Sequence, residues 1–396
     1  MIKKLVFFNN SLNHHQVNVA DEFYKLLGND YAYVCTIDPE KAGLKGGSDY
    51  STRPYCIIAA SSSDNYNKAM SLALEAEVCV FGAESLSFAI ERAKNNPKGL
   101  SFELSERWLK RGWINVLSPR FRTWWMAYMR YFRKANFYKL CASAFAAGDH
   151  YKLHTYRGKC FKWGYFTHVE EDFDVEASKQ DASTSEITPL MWCSRFLMWK
   201  HPELPVLMAA KLKAKGYKFH IDMYGDEGNA AKHDAVYPRK KLEELIARLN
   251  VTDCVSLMGN RPNAEVLEAM SKSAIFLFTS DRYEGWGAVA NESMANGCVL
   301  VASDAIGSTP YLIKGGYNGF MFESGDVNSL TAKVEWLLNH DDEMKQMELN
   351  ARNTMVEVWS PKNAAKNFLQ LLRDLQFVRS CSVKSGPASL AELIYH

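Results

Sequence analysis

Along most of this chain, short apolar runs rich in branched and aromatic residues alternate with amphipathic stretches of helical length. Leu5–Phe8, Tyr31–Ile37, Tyr55–Ala59 and Val78–Phe81 read as strands, with helical periodicity in Gln16–Leu27 and Asn67–Glu75. The alternation returns in the second half. Strands at Leu190–Cys193, Phe219–Tyr224, Cys254–Met258, Ala274–Thr279, Val299–Ala302 and Gly319–Phe322 are separated by helices such as Lys240–Leu249 and Ala264–Ser271, and Val327–Leu338 follows the last of them. Parallel strands need a crossover of a dozen or more residues, usually a helix, so this order predicts an α/β fold with parallel sheets. At 396 residues the chain is long enough for two cores. The composition shifts to Asp, Glu, Ser, Lys and Thr over 174–188, just before Pro189. That is the expected linker, between a first domain over 1–175 and a second over 188–360.

A hydrophobic content of 47% and a charged content of 23% describe a globular chain, and a net charge of +2 gives no general attraction to nucleic acid. No apolar run approaches the roughly 20 residues that span a bilayer. The apolar part of Met1–Phe8 stops after four residues, so it is expected to be a first strand rather than an export signal. Nine scattered cysteines without a Cys-x-x-Cys pair point to a reducing, cytoplasmic setting. The loop Asn9–His15 opens where α/β domains hold ligands, but it has no Gly-x-Gly-x-x-Gly, so no dinucleotide cofactor is expected. Asp172-Phe173-Asp174 lies at the linker and reads as incidental. His150 and His154 lack the intervening Glu of a zinc-protease helix and read as surface or capping residues.

Ser280–Glu292 carries the richest chemistry. A buried strand leads into it and a helix follows, ending at Asn296-Gly297. Unpaired amides at a helix start, here those of Trp286, Gly287 and Ala288, suit a phosphate. Gly285 and Gly287 let a ligand approach the backbone. Glu284 at the mouth and Glu292, about two turns into the helix, suit sugar hydroxyls. A nucleotide sugar has both features.

Residues 107–139 contain nine Lys and Arg and no acid, interleaved with ten aromatic residues. Such a face suits the headgroup level of an anionic membrane, or a core helix with its aromatics inward and its cations in water. Single-stranded nucleic acid is disfavoured.

From Trp192 to Trp359 the landmarks, taken in order, resemble family 4 of the retaining GT-B glycosyltransferases (glycosyl transferases group 1). Cys193-Ser194-Arg195-Phe196 with Lys200 is similar to that family's Gly-Arg-Leu…Lys segment, and Tyr224-Gly225 and Met258-Gly259 to its strand-end glycines. The Glu284/Glu292 pair, Ala295-Asn296-Gly297 and Gly319-Phe320 follow. Ser194 departs from the family's usual Gly, and the first loop lacks its glycine pair.

The resemblance implies two Rossmann-like domains facing a central cleft, with 361–396 returning to the first. It implies that Arg195 and Lys200 grip the diphosphate of a UDP- or GDP-linked donor, that Glu284 binds the transferred sugar and that Glu292 binds the ribose. Gly225, Asn260, Arg261, Trp286, Gly287 and Ala288 complete the donor side; Asn10 and Ser11 belong to the acceptor side. No metal is implied. The histidine that many relatives place opposite the sugar is missing from 100–107, so either Glu103 or Glu106 takes its place or both are helix-start acids. The implied function is a metal-independent, retaining hexosyltransferase of bacterial-type surface polysaccharide synthesis (capsule, O-antigen or exopolysaccharide). Its acceptor would be a glycan or lipid-linked glycan at the inner face of the plasma membrane. The alternative is a non-catalytic nucleotide-sugar-binding or scaffold protein on the same fold.

Overall fold

A computed structural model describes residues 4–38, 50–179, 186–228, 235–378 and 380–396. Part of the expected linker, 180–185, lies outside the described residues. The chain forms two compact units, one of Met1–His168 with Trp359–His396, the other of Val169–Val358.

The first unit is a seven-stranded parallel sheet. Its strands are β1 (Leu5–Asn9), β2 (Tyr31–Cys35), β3 (Cys56–Ile58), β4 (Val78–Phe81), β5 (Leu100–Ser105), β6 (Phe137–Cys141) and β7 (Cys160–Lys162), in spatial order β3-β2-β1-β4-β5-β6-β7. The apolar alternation marks β1 to β4 and misses the last three. The reason lies in β5 and β6, where Glu103 and Lys139 are register partners that bury a charge on each strand and neutralise it across the ladder, Nζ to Oε1 2.7 Å. A charge breaks the apolar run by which a buried strand is read.

Helix Pro361–Phe377 lies on this unit because Phe368 fills an aromatic cluster with Phe7, Phe23, Phe102 and Trp163, at centroid distances of 5.2–6.0 Å. The tail beyond it, silent in sequence, covers the edge of β7. Lys162 donates its amide to Ser389 O and accepts from Ala388 N, and Ala391 N reaches Cys160 O. A covered edge cannot template pairing with another chain.

The second unit is a six-stranded parallel sheet. Its strands are β8 (Thr188–Cys193), β9 (Phe219–Tyr224), β10 (Val255–Gly259), β11 (Ile275–Phe278), β12 (Val299–Ser303) and β13 (Gly319–Phe322), ordered β10-β9-β8-β11-β12-β13. All six follow the apolar runs, whose buried side chains join one core with the helices; in β9 the half-buried His220 and Asp222 alternate with apolar Phe219, Ile221 and Met223. In each sheet the strand order reverses once, at β1/β4 and at β8/β11. Loops leaving the carboxyl ends there diverge and open a crevice.

Candidate active site

In the second unit, β8 and β11 run side by side with Ile275 level with Leu190 and Phe276 with Met191. Phe278 and Cys193 therefore end their strands at one height, and the loops that follow are stitched together. Thr279 Oγ1 donates to Lys200 O at 2.7 Å and accepts from the Trp192 indole at 2.9 Å, while Asp281 N donates to Trp199 O at 3.0 Å. This stitching brings Lys200 Nζ onto Glu284 Oε2, which also accepts from Ser280 Oγ at 3.1 Å. Both partners of that ion pair are largely buried.

Arg195 stands just past β8, exposed and without an ion-pair partner among the described residues. Its loop is fixed by backbone bonds: Ser194 N to Tyr224 O, Phe196 N to Asp226 O and Gly225 N to Gly259 O, all 2.9–3.0 Å. Gly225 is needed for this approach, since a Cβ there would lie 1.9 Å from Ser194 O. Asn260 and Arg261 follow β10 at the same edge and are exposed.

The turn after Glu284 is built around Gly287, at φ +81°, where a Cβ would lie 2.3 Å from Phe278 Cζ and 3.0 Å from Glu284 Cγ. Trp286 is fully buried and its indole donates to Asn291 Oδ1 at 2.8 Å, so it braces the turn from inside. Ala288 caps the helix Val289–Ala295. Glu292 lies in the first turn of that helix rather than two turns in, because the helix starts only at Val289. Burial pushes the Glu292 carboxyl up to about 7. Burial raises the Cys193 thiol most, the Glu292 charge raises it further and that of Lys200 lowers it, so the three share one electrostatic neighbourhood. Arg195, Lys200, Glu284 and Glu292 thus stand at one sheet edge.

The first unit has its own cavity of about 620 Å³ at the carboxyl ends of β1, β4 and β5. Asn10 and Ser11 line it, as do Gln16, Glu106, Trp108 and Arg120. Asn9 holds its floor, with Oδ1 accepting from Asn10 N and Ala83 N and Nδ2 donating to Gln16.

Glu103 stands on β5 and not at a helix start. Its side chain is 2% exposed, with Oε1 taken by Lys139, Ser105 and the Trp108 indole, and Oε2 is buried out of solvent. This carboxylate braces β5 against β6, and Glu103 also lines the cavity. Glu106 is the more open acid, accepting from Tyr165 OH at 2.9 Å and facing Lys110 at 3.4 Å. Asp149, outside the acid-free stretch, neutralises Arg107 at 3.0 Å, so Arg107 and Lys139 are core residues. Exposed Trp113, Ile114, Leu117 and Met126 remain among exposed Arg111, Arg120, Arg122, Arg130, Arg133 and Lys134. His150 is also corrected: it is fully buried against Trp108 and bonds Thr155, a packing role invisible in spacing. Asp174 caps the helix Val175–Ser178 through Ala177 N.

Residues 179–354 match the family model of glycosyl transferases group 1. An uncharacterized glycosyltransferase of Methanocaldococcus jannaschii is 31% identical over 113 residues, covering 28% of this chain and 31% of its own. The MMP alpha-(1->4)-mannosyltransferase of Mycolicibacterium hassiacum is 33% identical over 129 residues, covering 32% of this chain and 31% of its own. The matches span about a third of the length of these curated relatives. Among solved structures, Anabaena HepE in complex with UDP aligns with a TM-score of 0.66 at 15% identity, over 94% of this chain and 100% of its own. At that identity the likeness is one of fold: two parallel-sheet Rossmann-like units, as in GT-B glycosyltransferases. No helix among the described residues is long and apolar enough to cross a membrane.

Proposed function

With residues 179–354 matching glycosyl transferases group 1 on a GT-B scaffold, we propose that this chain is a retaining glycosyltransferase that moves a hexose-type unit from a nucleotide sugar onto a glycan. The observation that carries the reading is the cluster at the β8/β11 edge: an exposed Arg195 with no ion-pair partner among the described residues and a Lys200 held on Glu284, beside a turn that only glycine fits.

Breaking the donor's glycosidic C–O bond leaves negative charge on the diphosphate. Fixed cations stabilise that charge as it grows, without reorganising at the moment of reaction. Arg195 offers a planar fork for two phosphate oxygens and Lys200 a mobile point charge. Donor binding exchanges the Lys200–Glu284 pair for two new ones: the ammonium turns to phosphate, and the carboxylate accepts from a hydroxyl of the sugar. Gly287 lets the phosphate reach the backbone at the start of the short helix, and Glu292 accepts from the ribose. Two cations do the electrostatic work of a metal, so the reaction runs without one. The leaving phosphate takes the acceptor's proton.

The cavity of the first unit supplies acceptor contacts. Its amides and hydroxyls, with Asn10 and Ser11 at the mouth, match sugar hydroxyls, and Trp108 offers a stacking face. The exposed apolar and cationic residues of 111–134 adjoin it in sequence, and Arg120 belongs to both. That arrangement supports a lipid-linked glycan acceptor at an anionic membrane face, in the synthesis of a surface polysaccharide.

The test is incubation of the full chain with UDP-glucose or GDP-mannose and a glycan acceptor, followed by NMR of the new anomeric carbon. An α-linked product from either α-donor supports the reading; an inverted product overturns it.

A further inference from the structure

His201, directly after Lys200, sits in left-handed backbone geometry at φ +51°, ψ +55°, a conformation rare for a residue with a side chain. Such a conformation persists only where its surroundings over-determine it. Here two acids hold the ring. Nδ1 meets Glu203 Oε1 at 2.9 Å and Nε2 meets Asp281 Oδ2 at 3.6 Å, while Thr279 Oγ1 lies 3.2 Å from the His201 carbonyl.

Asp281 is the link to the site. Its Oδ1 accepts from Tyr283 N at 2.8 Å and its carbonyl accepts from Glu284 N at 3.0 Å, so it sets the turn that presents Glu284. We infer that His201 is a positioning residue for the donor sugar: its ring fixes Asp281, and through Asp281 the orientation of Glu284. The inference rests on the donor-site reading above. The charged groups around the ring are Glu203 at the start of the following helix (Glu203–Ala214), Asp281 from the loop after β11, and the neighbouring Lys200 with its partner Glu284. The carboxylates of Asp281 and then Glu203 raise the imidazole to about 9, so the ring is cationic at neutral pH and holds both acids by charge.

His201→Gly separates the ring from the backbone, because glycine accepts the positive φ at little cost. Donor turnover with UDP-glucose and GDP-mannose is measured from pH 7 to 10 for wild type, His201→Gly, Asp281→Asn and the double variant. The inference expects His201→Gly to lower kcat/KM for the donor about tenfold at pH 7.5, with the double variant no worse than the poorer single one. It also expects wild type to lose activity above pH 9 along a limb absent from His201→Gly. His201→Gly within twofold of wild type, with the alkaline limb intact, overturns it. A wild-type chain that neither binds nor turns over either donor removes the donor reading itself, a distinct failure that takes the inference with it.

Discussion

Gly287 lies so close to Phe278 that a Cβ on it would come within 2.3 Å of the phenyl Cζ, and within 3.0 Å of Glu284 Cγ. Phe278 ends a fully buried strand and has nowhere to move. Gly287→Ala therefore strains a backbone at φ +81° and pushes on the Glu284 side chain at once. We expect a loss of about 2–4 kcal/mol in unfolding free energy and at least tenfold weaker UDP-glucose binding, read by denaturant titration and calorimetry.

Glu284→Gln separates the two duties of Lys200. The neutral amide keeps the shape of the carboxylate and releases the ammonium, so UDP should bind at least as tightly as to wild type. Transfer should fall on the order of 100-fold, because a contact made to the sugar in the transition state is lost. A parallel loss of UDP affinity would place Glu284 on the phosphate instead.

Glu292 has a carboxyl raised to about 7 by burial, so folding favours its protonated form. Stability from this group is present below its ordinary range near 4.5 and declines as pH rises through 7. Glu292→Gln removes the dependence. The variant should gain on wild type by on the order of 2 kcal/mol between pH 5 and 8, measured by urea unfolding at each pH.

Replacing exposed Trp113, Ile114 and Leu117 together by Ser should abolish sedimentation with vesicles containing anionic lipid at low salt, while the wild-type chain pellets. Binding of the wild type should weaken as salt screens the six exposed cations around them. Equal sedimentation of both proteins would remove the membrane reading.

What could be read in the sequence tracks what is apolar. Every strand of the second unit announces itself because each carries apolar residues into one buried core. Gly225 and Gly287 stand out because their backbones permit nothing larger. The first unit hides β5 and β6 behind the Glu103–Lys139 rung, a pairing between residues 36 apart in sequence. Lys139→Met alone, which strands Glu103 in the core, should cost about 3–5 kcal/mol, and adding Glu103→Leu should recover most of it. The Arg107–Asp149 pair and the burial of His150 were invisible for the same reason, as was the tail along β7: each depends on contacts made only after folding. Glu292's place in the first helical turn differs from the reading because Trp286–Ala288 form the turn that precedes the helix.

Donor recognition depends most on two cations at the end of β8 receiving a nucleoside diphosphate. Calorimetric titration of UDP and GDP into wild type, Arg195→Ala and Lys200→Met tests this directly. We predict that one of the two nucleotides binds wild type, and that each substitution weakens it at least tenfold. Equal affinity in all three proteins would contradict the account.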